Sequence, residues 1–146
     1  MKGEASLLPA SKSISNRVLI MNALSGGKSN LQNLSDANDT QLMLKLVNSP
    51  STEIDVEDAG TTMRFLTAFF ALTGAKKILT GTQRMKERPI GILVHALRTL
   101  GADIAYAERD GYPPLRLLGF KGQQTKTIRI RGDVSSQFIS ALMMVA

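Results

Sequence analysis

Hydrophobic residues recur along this chain with two different spacings, which predict alternating helices and strands. Helical spacing predicts helices over residues 14–24, 39–47, 61–72, 89–100 and 135–146. Pro50 closes the second of these helices, and Asn38 or Asp39 is expected to cap its start. Alternating spacing predicts strands over residues 3–8, 29–34, 51–57, 77–80 and 126–132, and a hairpin that turns near Asp110 and Gly111. The pattern indicates an α/β fold.

Three of the predicted helices share an unusual composition. The segments "SISNRVLIMNAL", "TTMRFLTAFFAL" and "SSQFISALMMVA" each begin with hydroxyl residues and are then apolar on nearly every side. A helix that is apolar all round is expected to be buried all round. Two of them also end alike, in "ALSGG" and "ALTGA", which indicates a weak internal repeat. We therefore predict repeated units with an inner layer of buried helices.

Composition excludes several classes of protein. The 146 residues are 43% hydrophobic, which is enough for one domain with a core. Cysteine is absent and there is one histidine, so disulfides, thiol catalysis and a transition-metal site are not expected. No apolar run is long enough to cross a bilayer, and the first residues do not resemble a secretory signal. We expect a cytoplasmic protein that does not bind membranes.

The formal net charge of +6 favours anionic partners. Nucleic acid is the first alternative that such a charge suggests. However, the basic residues are spread along the chain and aromatic residues make up only 5% of it, so stacking platforms for bases are not expected. Small phosphorylated metabolites fit the composition better.

We expect an anion to bind at the N-terminal ends of the three inner helices. A helix N-terminus leaves backbone N–H groups without partners and carries about half a positive charge. Cationic and hydroxyl side chains, and a glycine that admits close approach, stand at these ends. They are Lys12, Ser13, Ser15 and Arg17; Gly60, Thr61, Thr62 and Arg64; and Ser135, Ser136 and Gln137. The alternative is that the hydroxyl residues are N-caps and nothing more.

A second cationic segment, "TGTQRMKERPIG", precedes the fourth predicted helix. It contributes Arg84, Lys86 and Arg88. These residues suit a clamp for a carboxylate or phosphate, and the alternative is a solvated charged loop. Arg64 also has an alternative, as a core-edge arginine paired with Asp58 or Glu57. The acidic residues between 36 and 58 have no evident partner, so no general acid–base pair stands out.

Five motifs resemble, in order, the N-terminal part of the 5-enolpyruvylshikimate-3-phosphate synthase family of enolpyruvyl transferases. They are "LPASKSISNR", "DAGTTMRFL", "TGTQRMKERPIG", "YPPLRL" and "GDVSSQFISALMM". The related transferases that act on UDP-N-acetylglucosamine have asparagine after the active-site lysine, whereas Ser13 follows Lys12 here. The resemblance implies βαβαββ units, two domains, and inner helices whose N-termini face the cleft between them. It also implies transfer of the enolpyruvyl group of phosphoenolpyruvate to the 5-hydroxyl of shikimate 3-phosphate, without a cofactor.

The resemblance implies a role for individual residues. Shikimate 3-phosphate would contact Lys12, Ser13, Arg17, Ser135, Ser136 and Gln137. Phosphoenolpyruvate would contact Lys12, Gly60, Arg84 and Gln137, in a pocket where the herbicide glyphosate competes. Acid–base carboxylates would come from the second domain, which agrees with the absence of an evident pair here.

Two departures from the family pattern stand out, and the length differs as well. Asp58 replaces a common asparagine, and the stretch over residues 47–58 is shorter than in many members. The chain also covers about a third of the family's length. We therefore expect residues 1–146 to be a partial N-terminal substrate-binding domain of about two repeat units, inactive alone and prone to self-association. The alternative is a non-catalytic module of the same fold that binds phosphate esters or another protein.

Overall fold

The computed structural model describes residues 10–133 and 135–146, which form six α-helices and four strands. The helices are α1 (Lys12–Leu24), α2 (Asn38–Leu46), α3 (Gly60–Leu72), α4 (Gln83–Lys86), α5 (Gly91–Leu100) and α6 (Ser136–Val145). The strands are β1 (Glu53–Asp55), β2 (Lys77–Thr80), β3 (Ala102–Tyr106) and β4 (Leu115–Phe120). The predicted α/β class is confirmed, and the strand predicted over residues 3–8 lies outside the described residues.

One mixed sheet joins the four strands in the order β1-β2-β4-β3. The β1 and β2 strands are parallel, and the other two pairs are antiparallel. Ile54, Leu79 and Leu115 lie in register across the sheet, and none of them is exposed. Apart from the short helix α4, the elements from β1 to β4 follow the order βαβαββ. The parallel crossover from β1 to β2 runs through α3, which places this helix against the sheet.

Helix α3 lies at the centre of the domain. Every residue from Gly60 to Ala71 is buried, as the composition of this helix predicts. It packs against α1, α2, α5 and α6 and against the sheet. Its buried hydroxyl groups have partners: Thr67 donates to the carbonyl oxygen of Met63 at 2.7 Å, and Thr62 donates to the carbonyl oxygen of Asp39 on α2 at 2.8 Å. Helix α3 therefore forms a wall that several other elements share.

The two other helices of the predicted inner layer, α1 and α6, are only partly buried. Ile14 and Met21 on α1 are 64% and 57% exposed, and Met143 on α6 is 75% exposed. The prediction that all three helices are buried on every side therefore holds for α3 alone. Each of the other two buries one stripe against α3 and leaves an apolar face uncovered by the described residues. No described helix combines the length and apolarity needed to span a membrane.

Two predicted strands do not form. In residues 29–34 the side chain of Asn22 bonds to both the backbone N–H and the carbonyl of Ser29, which ties this segment to α1 as a loop. In residues 126–132 the backbone N–H of Thr127 donates to the hydroxyl of Thr125 at 3.2 Å, not to a neighbouring strand. Ile128 and Ile130 still pack against the core, so the predicted inward face is correct.

Helix starts differ from the predictions at two places. Ala37 is the N-cap residue of α2 and makes no side-chain cap, so neither Asn38 nor Asp39 has that role. Helix α5 begins two residues after Pro89, because the short helix α4, which the pattern missed, occupies part of the preceding segment. The hairpin is confirmed: β3 and β4 pair in antiparallel fashion, and Gly111 in the connection has a φ of 86°.

Candidate functional site

A cavity of about 180 Å³ lies where the N-terminal ends of α1, α3 and α6 meet. It is lined by Lys12, Ser13, Asn16, Arg17, Thr61, Phe65, Ser136 and Gln137. Five of the residues predicted for shikimate 3-phosphate are therefore brought together, although they come from distant parts of the sequence. The three helix N-termini add their partial positive charges to those of the lysine and the arginine.

Helix α1 supplies the cationic side chains of this cavity. The hydroxyl of Ser11 caps the helix by accepting from the backbone N–H of Ile14 at 3.4 Å, so Lys12 and Ser13 occupy the first, exposed turn. Arg17 lies one turn later and folds back toward them. Its Nη1 donates to the carbonyl oxygen of Ser13 at 2.9 Å and also contacts the hydroxyl of Ser13.

Arg17 also connects α1 to α6 and α3. Its Nη2 donates to the hydroxyl of Ser140 at 2.7 Å. Its guanidinium carbon lies 5.6 Å from the ring centroid of Phe65, within the range of a cation–π interaction. Because these contacts fix the guanidinium before any ligand arrives, Arg17 is suited to recognise an anion at a low entropic cost.

A hydrogen bond between side chains joins α6 to α3 across the opposite wall of the cavity. The Nε2 of Gln137 donates to the hydroxyl of Thr61 at 3.2 Å. Ser135 is the N-cap of α6, and its hydroxyl accepts from the backbone N–H of Gln137 at 3.3 Å. The sequence left two roles open for these hydroxyl groups, helix capping and lining an anion site. Both occur at α6, since Ser135 caps the helix and Ser136 lines the cavity.

An aspartate without a partner evident from the sequence lies at the edge of this cavity. The carboxylate of Asp39 accepts from the backbone N–H of Thr61 at 3.3 Å and lies 3.5 Å from Nζ of Lys12. It thus supplies a cap to α3 from another helix and balances part of the charge of Lys12. These partners are 22 and 27 residues away in the chain, so no local pattern could indicate them.

Gly60 lies against the side chain of Arg88. A Cβ atom at position 60 would lie 2.6 Å from the guanidinium carbon of Arg88, so the end of the arginine side chain would have to move. Gly60 is therefore needed for the arginine to reach the first turn of α3. Arg88 belongs to the cationic segment predicted from the sequence, where Arg84 was the residue expected to contact a ligand.

Arg64 is the second guanidinium near Gly60. Its Nη1 donates to the carbonyl oxygen of Gly60 at 2.9 Å. Burial lowers the pKa of Arg64 to about 10, and the like charge of Arg88 adds to this effect. Among the described residues neither arginine forms a salt bridge, so the alternative pairing of Arg64 with Asp58 or Glu57 is wrong. Asp58 contacts the hydroxyl of Thr82.

Three predicted residues do not line the cavity, and one of them is Gly60, which lies against Arg88. Arg84 is exposed on α4 and does not line it. Ser135 lines a separate, larger cavity on the other side of the start of α6. The arrangement as a whole is a cationic cavity at the converging N-termini of three helices, and no pair of described carboxylates lines it.

A match to a known family explains this arrangement. The family model described as EPSP synthase (3-phosphoshikimate 1-carboxyvinyltransferase) matches residues 1–49 and 45–146. The chain belongs to the EPSP synthase family.

Individual relatives agree with this assignment. A protein of Bacteroides fragilis (strain YCH46) named 3-phosphoshikimate 1-carboxyvinyltransferase is 54% identical over 138 residues, which are 94% of this chain and 33% of that protein. A protein of the same name from Pectobacterium atrosepticum is 44% identical, over 95% of this chain and 38% of its own length. The chain thus spans about a third of the length of these curated relatives.

Solved structures support the fold. An EPSP synthase from Acinetobacter baumannii superposes with a TM-score of 0.75 at 20% sequence identity, covering 96% of this chain and 37% of that one. A second structure of EPSP synthase from the same organism gives a TM-score of 0.77 at 21% identity. At this identity the likeness concerns the fold, which is that of a partial enolpyruvyl transferase.

Proposed function

We propose that this chain is the shikimate 3-phosphate-binding part of a 3-phosphoshikimate 1-carboxyvinyltransferase. The reaction joins the 5-hydroxyl oxygen of shikimate 3-phosphate to the enolpyruvyl carbon of phosphoenolpyruvate. The bond between that carbon and the phosphate oxygen breaks. The released phosphate takes up the proton that the hydroxyl loses, so the overall reaction is balanced. The observation that carries the proposal is the cavity that unites Lys12, Arg17 and Gln137 in a chain of this family.

The proposed contacts with shikimate 3-phosphate follow the walls of the cavity. Ser13 and Arg17 would hold the shikimate hydroxyls from α1, and Ser135 and Ser136 would hold the 3-phosphate at the N-terminus of α6. Gln137 would lie between the two substrates. Its hydrogen bond to Thr61 supports this, because the bond keeps the amide at the boundary between α6 and α3.

Phosphoenolpyruvate would lie nearer to Lys12 and Gly60. Arg84 stays the expected ligand of its phosphate, and we propose Arg88 as an alternative because the guanidinium of Arg88 lies against Gly60. Replacing each arginine by alanine distinguishes the two. The variant that loses the phosphate ligand should bind phosphoenolpyruvate about tenfold more weakly or worse, and the other variant should stay within twofold. Glyphosate would compete for the same pocket.

The residues of this cavity would bind and orient the substrates. The proton transfers would be carried out by the part of the family's sequence that this chain does not include. Asp39 is the carboxylate at the edge of the cavity, and it is engaged by Lys12 and by the backbone of Thr61. A carboxylate in two such contacts is poorly placed to serve as a general acid. We infer that the chain alone binds substrate weakly and does not turn it over. The expected cytoplasmic location stays a prediction.

Titration of shikimate 3-phosphate, followed by NMR of the backbone amides, tests the proposal. Shifts are expected at Ser13, Arg17 and Ser136, and Arg17→Gln should weaken the binding at least tenfold. Arg116→Gln is the matched control, because Arg116 is an exposed arginine on β4 that does not line the cavity. Saturable shifts that are equal in both variants would contradict the assignment.

The second candidate is a phosphate-ester-binding module that has no part in the transfer. The paired state of Asp39 is the observation that favours it. Adding the C-terminal two thirds of a relative to this chain separates the two. Phosphate release from the mixture, absent for either piece alone, supports the transferase, whereas binding without release supports the module.

A further inference from the structure

A side-chain hydrogen bond joins the loop before α3 to the start of α4. The carboxylate of Asp58 accepts it from the hydroxyl of Thr82, which lies 24 residues later in the chain. We propose that Asp58, acting through Thr82, is a positioning residue for anion binding, because it fixes the cationic segment over residues 81–88. The anion is the phosphate that the proposed function gives to Arg84 or Arg88, so the proposal rests on that function.

Helix α4 depends on contacts of this kind. It has four residues, and a helix of that length has no stability of its own. Thr82 is its N-cap, since Oγ1 accepts from the backbone N–H of Met85 at 3.4 Å while the hydroxyl hydrogen is donated to Asp58. A hydrogen bond to a charged acceptor is one of the stronger side-chain hydrogen bonds, so it keeps the hydroxyl oriented with its lone pairs toward the helix.

The loop that carries Asp58 has a restrained conformation. Glu57 has a φ of 51°, and its backbone N–H donates to the carboxylate of Asp55 at 2.8 Å. Its carbonyl oxygen accepts from the backbone N–H of Thr82 at 3.2 Å. A Cβ atom at Gly81 would lie 2.5 Å from that oxygen, and glycine allows this close approach. The side-chain bond of Asp58 therefore lies beside a backbone contact of defined geometry.

The other end of the segment is attached to the β3–β4 hairpin. The backbone N–H of Ile90 donates to the carbonyl oxygen of Gly111 at 2.8 Å, and Nζ of Lys86 lies 2.7 Å from Oε1 of Glu108. Neither contact reaches the start of α4, and an exposed ion pair such as the second holds its partners weakly. Among the described residues, the bond to Asp58 is the side-chain hydrogen bond between this start and the loop before α3.

A movement of α4 would change where the two arginines lie. Arg84 is part of the helix, and the backbone N–H of Arg88 donates to the carbonyl oxygen of Met85 at 3.1 Å, so Arg88 follows the end of the helix. The guanidinium of Arg88 lies against Gly60, two residues after Asp58. Because a cation that is held in place before its ligand arrives loses less entropy on binding, the restraint on α4 should increase the affinity for phosphate.

The charge of Asp58 and its hydrogen bond have opposite effects on an anion. The carboxylate repels a phosphate, whereas the bond restrains the arginines. Asparagine removes the charge and keeps a side-chain oxygen that can accept from Thr82. We therefore expect Asp58→Asn to bind phosphoenolpyruvate at least as tightly as the unchanged chain does. Asp58→Ala should bind it about tenfold more weakly, which is the affinity equivalent of one hydrogen bond.

NMR titration of phosphoenolpyruvate into the 146-residue chain and its variants tests these expectations. Thr82→Val should weaken binding as Asp58→Ala does, with little further loss in the double variant. Thr82→Ser keeps the hydroxyl and should stay within twofold of the unchanged chain. Asp103→Ala is the matched control and should also stay within twofold, because Asp103 is a partly exposed aspartate on β3 that pairs with Lys121. Urea unfolding verifies that each variant is folded.

NMR relaxation of the side-chain Nε–H groups of Arg84 and Arg88, measured without ligand, tests the restraint directly. These groups should be more mobile in Asp58→Ala and Thr82→Val, and as restrained in Asp58→Asn and Thr82→Ser as in the unchanged chain. Equal relaxation in all variants would overturn the proposal, and so would an Asp58→Asn variant that binds as weakly as Asp58→Ala. If Asp58→Ala does not fold, the two substitutions at Thr82 give the same comparison. Absence of phosphoenolpyruvate binding to every chain would contradict the proposed function, whereas the relaxation would still confirm or overturn the positioning.

Discussion

The contact between Gly60 and Arg88 leads to a prediction in which stability and binding respond differently. In Gly60→Ala the new methyl group would lie 2.6 Å from the guanidinium carbon of Arg88, where ordinary contacts are longer by about 1 Å. The flexible end of the arginine must therefore move away. The cost to the fold is small, because the displaced group is the tip of a side chain and alanine gains up to about 1 kcal/mol over glycine inside a helix. The free energy of unfolding should stay within about 1 kcal/mol of the unchanged chain.

Anion binding should suffer far more than stability. A lost charge-assisted hydrogen bond costs about 2 kcal/mol, which is roughly a thirtyfold loss of affinity for phosphoenolpyruvate. Urea unfolding measures the first quantity, and NMR titration measures the second. A double-mutant cycle with Arg88→Ala gives the decisive comparison, because Gly60→Ala should have little further effect once Arg88 is absent. If the glycine substitution is equally harmful in both backgrounds, the methyl group blocks the ligand directly and the reasoning is wrong.

The remaining predictions concern the same domain. Arg17→Ala removes the bond to Ser140 and should lower the free energy of unfolding by about 1–2 kcal/mol, with little further loss when Ser140→Ala is added; denaturant titration of the four chains would reveal simple additivity if the bond is unimportant. Leu66→Ala should cost about 2–5 kcal/mol, because this side chain is fully buried on α3, and a loss below 1 kcal/mol in thermal unfolding would contradict that packing. The pKa of Arg64 is lowered to about 10, so the unfolded chain holds this proton more tightly and the folded chain becomes relatively more stable as the pH rises above that value; relative to Arg64→Met, the free energy of unfolding should increase by about 1 kcal/mol by pH 11, and no relative increase would refute the shift. Finally, Met143→Lys should reduce concentration-dependent self-association in light scattering, because it places a charge on the exposed apolar face of α6, and a strictly monomeric parent chain would exclude such association.

Periodicity predicted the elements whose burial is regular. The limits of β2 agree with the prediction, and α1, α3 and α6 begin within two residues of their predicted starts. These segments carry strong local signals, such as hydroxyl residues at the helix starts and glycines at the ends. The segments at 29–34 and 126–132 alternate in the same way but form no strand, because a strand also needs a neighbour and the pattern of one segment does not show whether it has one.

The site residues that stand at the N-terminal ends of helices could be predicted from the sequence. Lys12, Ser13 and Arg17 belong to one turn-and-helix motif, and their convergence with Gln137 followed from the shared composition of the helices. Asp39 and Arg88 were missed as partners, because their contacts depend on how α2 and the segment before α5 pack against α3. Such contacts join residues far apart in the chain, and only the packed structure determines them.

The enclosed position of α3 has a consequence for how the anion cavity moves. Amides within α3 reach solvent only when the surrounding layers separate, so their hydrogen exchange should report global unfolding. The first turns of α1, which carry Lys12 and Ser13, are exposed and can fray without disturbing the core. We therefore expect the α3 wall of the cavity to stay fixed while the first turn of α1 frays independently. A bound anion would mainly stabilise the first turn of α1. It should slow amide hydrogen exchange in that turn and leave the exchange rates of α3 almost unchanged.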